Sequence, residues 1–326
     1  MMIFVAPMVA ALVALALTLV LLKSKAAKSI QDVPNERSLH SEPIPRVGGV
    51  ALMAGVLSGW VILVEFLAWW IVLPLMVLFI VSLVDDMRGL SVRSRLLAHL
   101  GAALLLVLAS GLMAQNFTFG VVVLLLVVWM TNLYNFMDGS DGLAGGMTLF
   151  GFFVYGVAAS LGNDPALAML NFSVSASAVI FLYFNFYPAK VFMGDGGAIP
   201  LGFLSAAMGL WGWQRGLWPA WFPFLVFSPF VVDASVTLFK RALRGERVWQ
   251  AHREHYYQRL VQMGLGHRNT ALIEYALMVA VGISALWTLQ NPVAWLCVLL
   301  AWGGIFLFAM LWLDHRWKAR QLVGRA

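Results

Sequence analysis

Residues 135–146 are Asn135-Phe136-Met137-Asp138-Gly139-Ser140-Asp141-Gly142-Leu143-Ala144-Gly145-Gly146. This stretch contains two carboxylates, an amide and four glycines, and an apolar run of membrane-spanning length lies on each side of it. Carboxylates at a membrane edge are costly, so they indicate a functional site by default. Glycines beside them let the backbone approach a phosphate or a hydrated metal ion. The alternative is a polar turn whose glycines only let the chain reverse between two helices.

The composition is that of a polytopic membrane protein. Of the 326 residues, 62% are hydrophobic and 11% are charged, and the mean hydropathy is +0.86. Soluble domains average about 45–50% apolar and about 25% charged residues. The single cysteine, Cys297, lies in an apolar run, which excludes a disulfide framework. The net charge of +6 does not indicate nucleic acid, because the basic residues are distributed by membrane side.

The apolar runs predict an all-α fold with about eleven transmembrane helices, since each span needs about 20 apolar residues. The predicted spans cover residues 2–22, 47–65, 66–84, 96–114, 117–135, 143–161, 166–186, 197–213, 218–239, 271–289 and 292–313. The second and third are nearly continuous and are separated only around Glu65. The first could be taken for a signal peptide, but it has no basic region before it. Lys23, Lys25 and Lys28 follow it, as expected for a retained anchor with its N-terminus outside.

The basic residues predict the orientation, because cytoplasmic loops are enriched in Lys and Arg. With the N-terminus outside and the C-terminus in the cytoplasm, all of the 21 Lys and Arg residues except Arg215 fall at interior segments or at interior ends of spans. The cytoplasmic loops are predicted near residues 23–46, 85–95, 136–142, 187–197 and 240–270. We expect residues 1–326 to form a single integral membrane domain.

Acidic residues gather on the same predicted side. In chain order they are Asp85, Asp86, Asp138, Asp141, Asp195 and Asp233. On the outer side we expect only Glu65 and Asp164. A transporter is expected to place ionisable groups near the bilayer midplane, at broken helices. Carboxylates at one surface instead favour an enzyme that joins a water-soluble donor to a lipid acceptor.

Converging carboxylates and glycines predict a divalent cation together with phosphates. Mg²⁺ takes one or two carboxylates and keeps its other positions for water and phosphate oxygens. Asp195 lies in a second glycine-rich turn, Phe192-Met193-Gly194-Asp195-Gly196-Gly197, which opens into the eighth span. Free N–H groups at a helix N-terminus attract anions. The alternative role for Asp195 is an N-cap, which is common for Asp at such a position.

The segment 240–270 supplies positive charge. Its basic and aromatic residues include Lys240, Arg241, Arg244, Arg247, His252, Arg253, His255, Tyr256, Tyr257 and Arg259. Arg and His can clamp a pyrophosphate, and aromatic rings can stack on a base or cover a sugar. A basic loop on the cytoplasmic side is the alternative, and it explains residues 240–244 better than residues 252–259. His252 and His255 also have the spacing of a Zn²⁺ site, which the oxygen ligands elsewhere disfavour.

Residues 31–49 form a proline-rich connector that ends in paired glycines at a span entrance. Within this connector, Arg46 is a candidate phosphate contact.

Taken in order, these elements resemble the bacterial polyprenyl-phosphate N-acetylhexosamine-1-phosphate transferases, a membrane family that includes phospho-MurNAc-pentapeptide translocase. The matching elements are Arg37-x-x-His40, Pro45-Arg46-Val47-Gly48-Gly49, Asp85-Asp86, Asn135 through Ala144, Met193 through Gly197, Asp233 with Lys240-Arg241, and His255 through Leu260. The string at 135–144 is highly specific, and the others become specific through their order over about residues 30–265. The family's plan of eleven spans also fits.

One element departs from the family pattern. Members of the O-antigen type usually have His-x-His-His-Arg-Leu in the last large loop, whereas this chain has His255-Tyr256-Tyr257-Gln258-Arg259-Leu260. Only the first histidine is present. The departure suggests a branch whose donor sugar differs, such as a deoxygenated N-acetylhexosamine (FucNAc or QuiNAc), and UDP-GlcNAc stays open.

The resemblance implies transfer of an N-acetylamino-sugar 1-phosphate from a UDP-sugar to undecaprenyl phosphate, with release of UMP. The reaction is expected at the cytoplasmic face of a bacterial inner membrane, where it would initiate a surface polysaccharide such as the O-antigen of lipopolysaccharide. The implied cofactor is Mg²⁺, with Mn²⁺ as an alternative. The implied partners are the two substrates and membrane lipid, with no nucleic acid, and a homodimer is compatible with the resemblance.

The resemblance also implies roles for individual residues. The catalytic residues are Asp85, Asp86, Asp138 and Asp141, the metal ligands are Asp195 and Asn135, and the substrate contacts are Asn132, Asn135, Arg46, Arg253, His255 and Arg259. Asp85 and Asp86 face the acceptor phosphate, and Asp138 and Asp141 shape the donor pocket. The alternatives are a transporter or another membrane phosphotransferase. A CDP-alcohol phosphatidyltransferase is disfavoured because its Asp-Gly-x-x-Ala-Arg motif is absent.

Overall fold

The computed structural model describes residues 2–34, 39, 42–248 and 252–323, and it consists almost entirely of helices. In chain order the α-helices are α1 (Ala6–Lys23), α2 (Lys25–Ser29), α3 (Gly48–Val61), α4 (Trp69–Arg88), α5 (Val92–Ala109), α6 (Leu112–Gln115), α7 (Phe117–Phe136), α8 (Leu143–Leu161), α9 (Pro165–Asn185), α10 (Asp195–Gln214), α11 (Phe222–Val226), α12 (Ser228–Leu243), α13 (Tyr256–Leu260), α14 (Gly266–Gln290) and α15 (Trp295–Val323). Shorter helical segments are Met2–Val5, Val64–Phe66, Val261–Leu265 and Pro292–Ala294. Strands β1 (Gln31–Asp32) and β2 (Ile44–Pro45) form a small antiparallel pair.

The chain is an all-α polytopic membrane protein. Among the described residues, eight helical segments are long and apolar enough to cross a membrane. They comprise α1, α4, α5, α7, α8 and α9, together with the continuous segments Tyr256–Gln290 and Pro292–Leu322. Of the other three predicted spans, 47–65 contains α3 and 197–213 lies within α10, whereas 218–239 is divided between α11 and α12. Helices therefore occupy all of the predicted apolar runs.

The predicted boundary between the second and third apolar runs is confirmed. Helix α3 ends at Val61 and α4 begins at Trp69, and a short turn that contains the exposed Glu65 lies between them. Helix α4 also extends beyond the predicted end of its apolar run, as far as Arg88. Asp85 and Asp86 therefore lie in the last turn of a helix, with fixed positions relative to the bundle.

Helices α8 and α9 form the centre of the bundle. About seventy per cent of the spanning residues of each are buried (72% and 67%), compared with 6% for the segment that contains α15. Helix α9 packs on α1 and α3, whereas α10 packs on α4 and α7. Gly55 and Gly59 of α3 lie against Ala10 and Ala6 of α1. Small residues of this kind allow close helix packing where lipid provides no hydrophobic driving force.

Backbone hydrogen bonds join the start of α3 to the turn before α10. The N–H of Gly48 donates to the carbonyl of Phe192, and the N–H of Gly49 donates to the carbonyl of Met193, both at 2.9 Å. A side chain at Gly49 would collide with the backbone of Met193 and Gly197. The glycines at the span entrance therefore form one unit with the glycine-rich turn at 192–197.

We expect Gly49→Val to lower the free energy of unfolding by about 1–3 kcal/mol or more, because the new side chain meets backbone that cannot move aside. Thermal unfolding of the purified protein in detergent measures this loss. The matched control is Gly303→Val, because no atom of the described residues outside its own helix lies within 4 Å of the position that a Cβ would occupy there. Equal losses in the two variants would contradict the close-packing argument.

Candidate active site

A cavity of about 810 Å³ lies where the predicted cytoplasmic loops meet. Each of those loops contributes to its lining, although they are far apart in the sequence. The lining includes the predicted site residues Arg46, Asp85, Asp86, Asn135, Asp138, Asp141, Asp195 and His255. The structure therefore brings most of the predicted site residues to one place.

The carboxylate of Asp86 binds the N-terminus of α10. Its Oδ1 accepts a hydrogen bond from the N–H of Asp195 at 3.1 Å, and its Oδ2 accepts one from the N–H of Gly196 at 2.8 Å. The residue before α10 is Gly194, with φ of +69°, and no side chain of that segment caps the helix. The N-cap alternative for Asp195 is therefore wrong, because Asp86 supplies the capping carboxylate from α4.

Asp85 and Asp195 share one cation. The Oδ1 of Asp85 accepts a hydrogen bond from the N–H of Leu90 at 2.5 Å. Its Oδ2 is buried and accepts no hydrogen bond within the described residues, although it lies 3.4 Å from Nη1 of Arg95. The same Nη1 lies 3.5 Å from Oδ2 of Asp195. Arg95 therefore lies between two carboxylates that come from different helices.

Crowding of carboxylates changes their ionisation. Burial raises the pKa of Asp138 well above its usual range, and the charge of Asp195 raises it further. Burial also raises the pKa of Asp195, with further contributions from Asp85 and Asp86, whereas Arg95 acts in the opposite direction. Ionising these carboxylates is therefore costly unless a cation is added, which favours the binding of a positive ligand.

The oxygen donors in this cluster fit a magnesium ion. Within the described ranges, no three His, Cys, Asp or Glu side chains are arranged to hold a metal ion by themselves. Mg²⁺ does not need such a group, because it takes one or two carboxylates and completes its shell with water and phosphate oxygens. The carboxylate of Asp195 is a suitable ligand, and so is the buried Oδ2 of Asp85, which accepts no hydrogen bond from the described part of the chain.

Asp233 holds His255 in place. The Oδ1 of Asp233 lies 3.2 Å from Nδ1 of His255 and accepts a hydrogen bond from the N–H of Tyr256 at 2.9 Å. Its Oδ2 accepts one from the N–H of Tyr257 at 2.9 Å. The carboxylate thus caps α13 and engages Nδ1 of the buried imidazole, which leaves Nε2 as the ring nitrogen for a ligand. Asp233 is a positioning residue for His255.

His267 is a residue of the cavity that the sequence analysis missed. Its Nε2 lies 3.1 Å from the carbonyl of Leu39, and its Nδ1 lies 3.0 Å from the hydroxyl of Ser140 and 3.3 Å from the N–H of Asp141. These contacts fit the tautomer with the proton on Nε2. The Oδ2 of Asp141 in turn accepts a hydrogen bond from the N–H of Ala189 at 3.0 Å. His267 therefore helps to order the 137–142 turn.

Three predicted substrate contacts do not line this cavity. Asn132 binds His99 and the carbonyl of Val128 instead. Arg259 is buried and donates to Asp314 at 2.8 Å. Arg253 lines a separate cavity. Arg253 and Arg259 therefore do not line the acidic cavity, although His255 lies between them in the sequence and does line it.

Arg37 and His40, which belong to the elements that resemble the family, lie outside the described residues. The predicted alternative of a zinc site finds no support, because His252 and His255 belong to no metal-binding group in the described part of the chain.

Comparison with known proteins assigns the family. Residues 68–212 match the model of glycosyl transferase family 4. A relative from Bacillus subtilis (strain 168), named a probable undecaprenyl-phosphate N-acetylglucosaminyl 1-phosphate transferase, is 30% identical over 283 residues, which cover 81% of this chain and 78% of the relative. The chain belongs to glycosyl transferase family 4.

Two other relatives of this family 4 chain have different transferase names. The undecaprenyl-phosphate alpha-N-acetylglucosaminyl 1-phosphate transferase of Escherichia coli (strain K12) is 24% identical over 332 residues, which cover 92% of this chain and 89% of the relative. The phospho-N-acetylmuramoyl-pentapeptide-transferase of Heliobacterium modesticaldum is 34% identical over 134 residues, which cover 41% of each chain. The predicted family is therefore confirmed.

The residues matched to glycosyl transferase family 4 include the whole acidic cluster. Asp85, Asp86, Asp138, Asp141 and Asp195 all lie within residues 68–212.

Two other residues of the cavity have weaker sequence signals. Arg95 could have been found as a basic residue at the end of the acidic loop 85–95. His267 could not, because a single histidine before an apolar run has many structural uses.

Proposed function

We propose that this chain transfers an N-acetylamino-sugar 1-phosphate from a UDP-sugar to undecaprenyl phosphate, and so starts a surface polysaccharide such as an O-antigen repeat unit. The transferase names of the Bacillus subtilis and Escherichia coli relatives support the reaction class. The observation that carries the proposal is one cavity in which carboxylates of α4, α10 and the 137–142 turn meet His255, and we place this cavity at the membrane edge. A transferase that joins a soluble donor to a lipid needs this placement.

The proposed reaction is an in-line displacement at phosphorus. An oxygen of the lipid phosphate attacks the phosphorus next to the sugar, and the bond from that phosphorus to the oxygen of UMP breaks. UMP leaves with the bonding electron pair, and the sugar phosphate becomes part of a lipid diphosphate. When bound, Mg²⁺ neutralises charge on the diphosphate. Asp195 and Asn135 would hold this ion, with Asp85 as a further oxygen donor.

The protein's own side chains position the two substrates. Asp141, which is bound by the N–H of Ala189, gives the 137–142 turn a fixed shape. Nε2 of His255 is available to the donor phosphates or sugar, because Asp233 engages Nδ1. Arg46 forms an ion pair with Asp32 in the same cavity, from which it can contact a phosphate.

The residues that replace the family's second and third histidines have structural contacts here. The hydroxyl of Tyr257 donates to the carbonyl of Phe136 at 3.1 Å and lies against Gly139. Gln258 lines the cavity and accepts a hydrogen bond from the N–H of His255. Both residues lie at or next to the cavity, and their difference from the family's histidines supports a donor that differs in its sugar. FucNAc, QuiNAc and GlcNAc are the candidate sugars of the donor.

A homodimer of this chain stays a prediction.

We expect purified protein in detergent with undecaprenyl phosphate to move radiolabel from a UDP-N-acetylamino sugar into the organic phase, and Asp195→Asn to abolish the transfer. The amide keeps the volume of the side chain, and Asp86 still caps α10, so the loss reflects a missing charged oxygen donor. A panel of UDP-sugars identifies the donor.

Thermal unfolding with and without MgCl₂ provides the control for this substitution. We expect Mg²⁺ to stabilise the original chain more than Asp195→Asn. If the variant keeps most of its activity at saturating Mg²⁺, Asp195 does not hold the metal. If no UDP-sugar labels the lipid in the original chain, the proposed reaction is wrong.

The adjacent carboxylates of Asp85 and Asp86 invite the role of a general base, but the acceptor has little need of one. A phosphate monoester has a second pKa of about 6, so its attacking oxygen is mostly unprotonated at neutral pH. Asp86 already accepts two N–H groups of α10, and Asp85 pairs with Arg95. We therefore assign a positioning role to Asp86 and the role of a further metal oxygen donor to Asp85, with neither acting as a general base.

We expect Asp85→Asn and Asp86→Asn to lower the transfer rate by similar factors from about pH 6 to about pH 9, because the lipid phosphate ionises near the lower limit without their help. Rates at saturating substrate across this range provide the measurement. If the rate of a variant returns to that of the original chain as the pH rises, the substituted carboxylate acts as a general base.

The proposed orientation has eleven spans, with the N-terminus outside and the cavity on the cytoplasmic face of a bacterial inner membrane. The one basic residue on the outer side, Arg215, forms an ion pair with Asp164 at 2.7 Å, which balances its charge there. We expect reporters fused after residues 30, 90 and 190 to report cytoplasm, and reporters near residues 163 and 215 to report the outer side. A cytoplasmic signal near residue 163 would overturn this arrangement.

A further inference from the structure

A second cavity, of about 750 Å³, lies between the ends of α12 and α15 and the segment 253–262. That segment separates the second cavity from the acidic one. His252, His255 and Gln258 line the acidic cavity. Arg253, Glu254, Arg259 and Gln262 line the second cavity. A ligand in the second cavity would therefore contact the same wall that presents His255.

The second cavity has an excess of cations. Its basic lining residues are Lys240, Arg244, Arg253, Arg259 and Lys318, and its acidic ones are Glu246, Glu254 and Asp314. Each of the three acids is already in an ion pair with a neighbouring base. Within the described ranges, neither Arg253 nor Lys318 takes part in an ion pair. The cavity therefore has positive charge for an anionic ligand.

Arg259 provides an unused hydrogen-bond donor inside this wall. The residue is only 5% exposed, and its Nη1 donates to Asp314. Its Nε is buried and has no acceptor among the described residues. A buried N–H of a charged group without an acceptor is costly, and a phosphate oxygen is a suitable acceptor for a guanidinium.

Exposed apolar side chains of α12 lie at and beside the cavity. Leu243 lines the cavity and is 72% exposed, and Phe239, one turn away on α12, is 64% exposed. Trp317, which also lines the cavity, belongs to a residue type enriched at membrane interfaces. A ligand that fits both the basic lining and these apolar side chains has an anionic headgroup and apolar chains. A soluble anion has no apolar chains.

We infer that the second cavity binds the headgroup of an anionic phospholipid, with its phosphate on Arg253, Arg259 and Lys318 and its acyl chains along Leu243 and Phe239. Basic pockets between membrane helices bind such headgroups. The bound lipid fixes the segment 253–262 by neutralising its cations, and thereby supports the position of His255. This site goes beyond the proposed transfer reaction and does not depend on it.

The test compares the full-length protein in nanodiscs of phosphatidylcholine alone and of equal parts phosphatidylcholine and phosphatidylglycerol. Native mass spectrometry measures the phosphatidylglycerol retained per chain, and thermal unfolding measures its effect on stability. We expect phosphatidylglycerol to raise the unfolding temperature of the original chain. The double variant Arg253→Gln/Lys318→Gln should lose this increase and retain the lipid about tenfold more weakly, because each basic residue near an anionic headgroup adds to its binding.

The matched control is Arg247→Gln/Arg320→Gln, which removes the same charge from exposed residues that line neither cavity. It should keep both the retained lipid and the increase in unfolding temperature. Equal losses in the two double variants would overturn the site in favour of general surface charge. Unchanged lipid retention in Arg253→Gln/Lys318→Gln would overturn it as well. Inorganic phosphate that stabilises the chain equally in phosphatidylcholine nanodiscs would identify a soluble anion as the ligand and overturn the lipid.

Discussion

The carboxylate of Asp86 at the N-terminus of α10 is the contact on which the active-site cavity depends. The first N–H groups of a helix have no partner within the helix, and leaving them unsatisfied at a membrane edge is costly. Asp86 satisfies two of them from α4. This bond sets the distance between two acidic elements that the chain separates by more than a hundred residues. It also relieves Asp195 of a capping role, so that its carboxylate is available to the cavity.

The second constraint is the electrostatic cost of gathering acids. Burial and mutual repulsion raise the pKa of Asp138 and of Asp195, and Arg95 bridges Asp85 and Asp195. A cluster arranged only for stability would contain more cations or fewer carboxylates. The excess of negative charge has a physical reason if a cation binds here, as a magnesium ion would. The gathered carboxylates that destabilise the empty cavity are therefore the same groups that would bind the metal ion.

The segment 252–262 shows how one stretch can serve two surfaces. Asp233 caps α13 through the N–H groups of Tyr256 and Tyr257, which fixes the direction in which each following side chain points. His255 and Gln258 then reach the acidic cavity, whereas Arg259 reaches Asp314. From residue type alone, His255, Arg253 and Arg259 were all predicted to contact the donor substrate. The cap and the helical turn direct these side chains to two different cavities, which is why the predictions for Arg253 and Arg259 did not match the lining of the acidic cavity.

The sequence by itself determined the membrane class, the positions of the apolar helices and the acidic loops on a common side. Those properties follow from local composition, because lipid requires continuous apolar helices and the distribution of basic residues follows membrane side. It also identified the family, through the string at 135–144. Tertiary structure alone decided that Asp86 rather than Asp195 caps α10, that Arg95 and His267 join the cavity, and that Asn132 turns to His99. These contacts join residues that are distant in the chain, so they depend on how the helices pack and not on any local pattern.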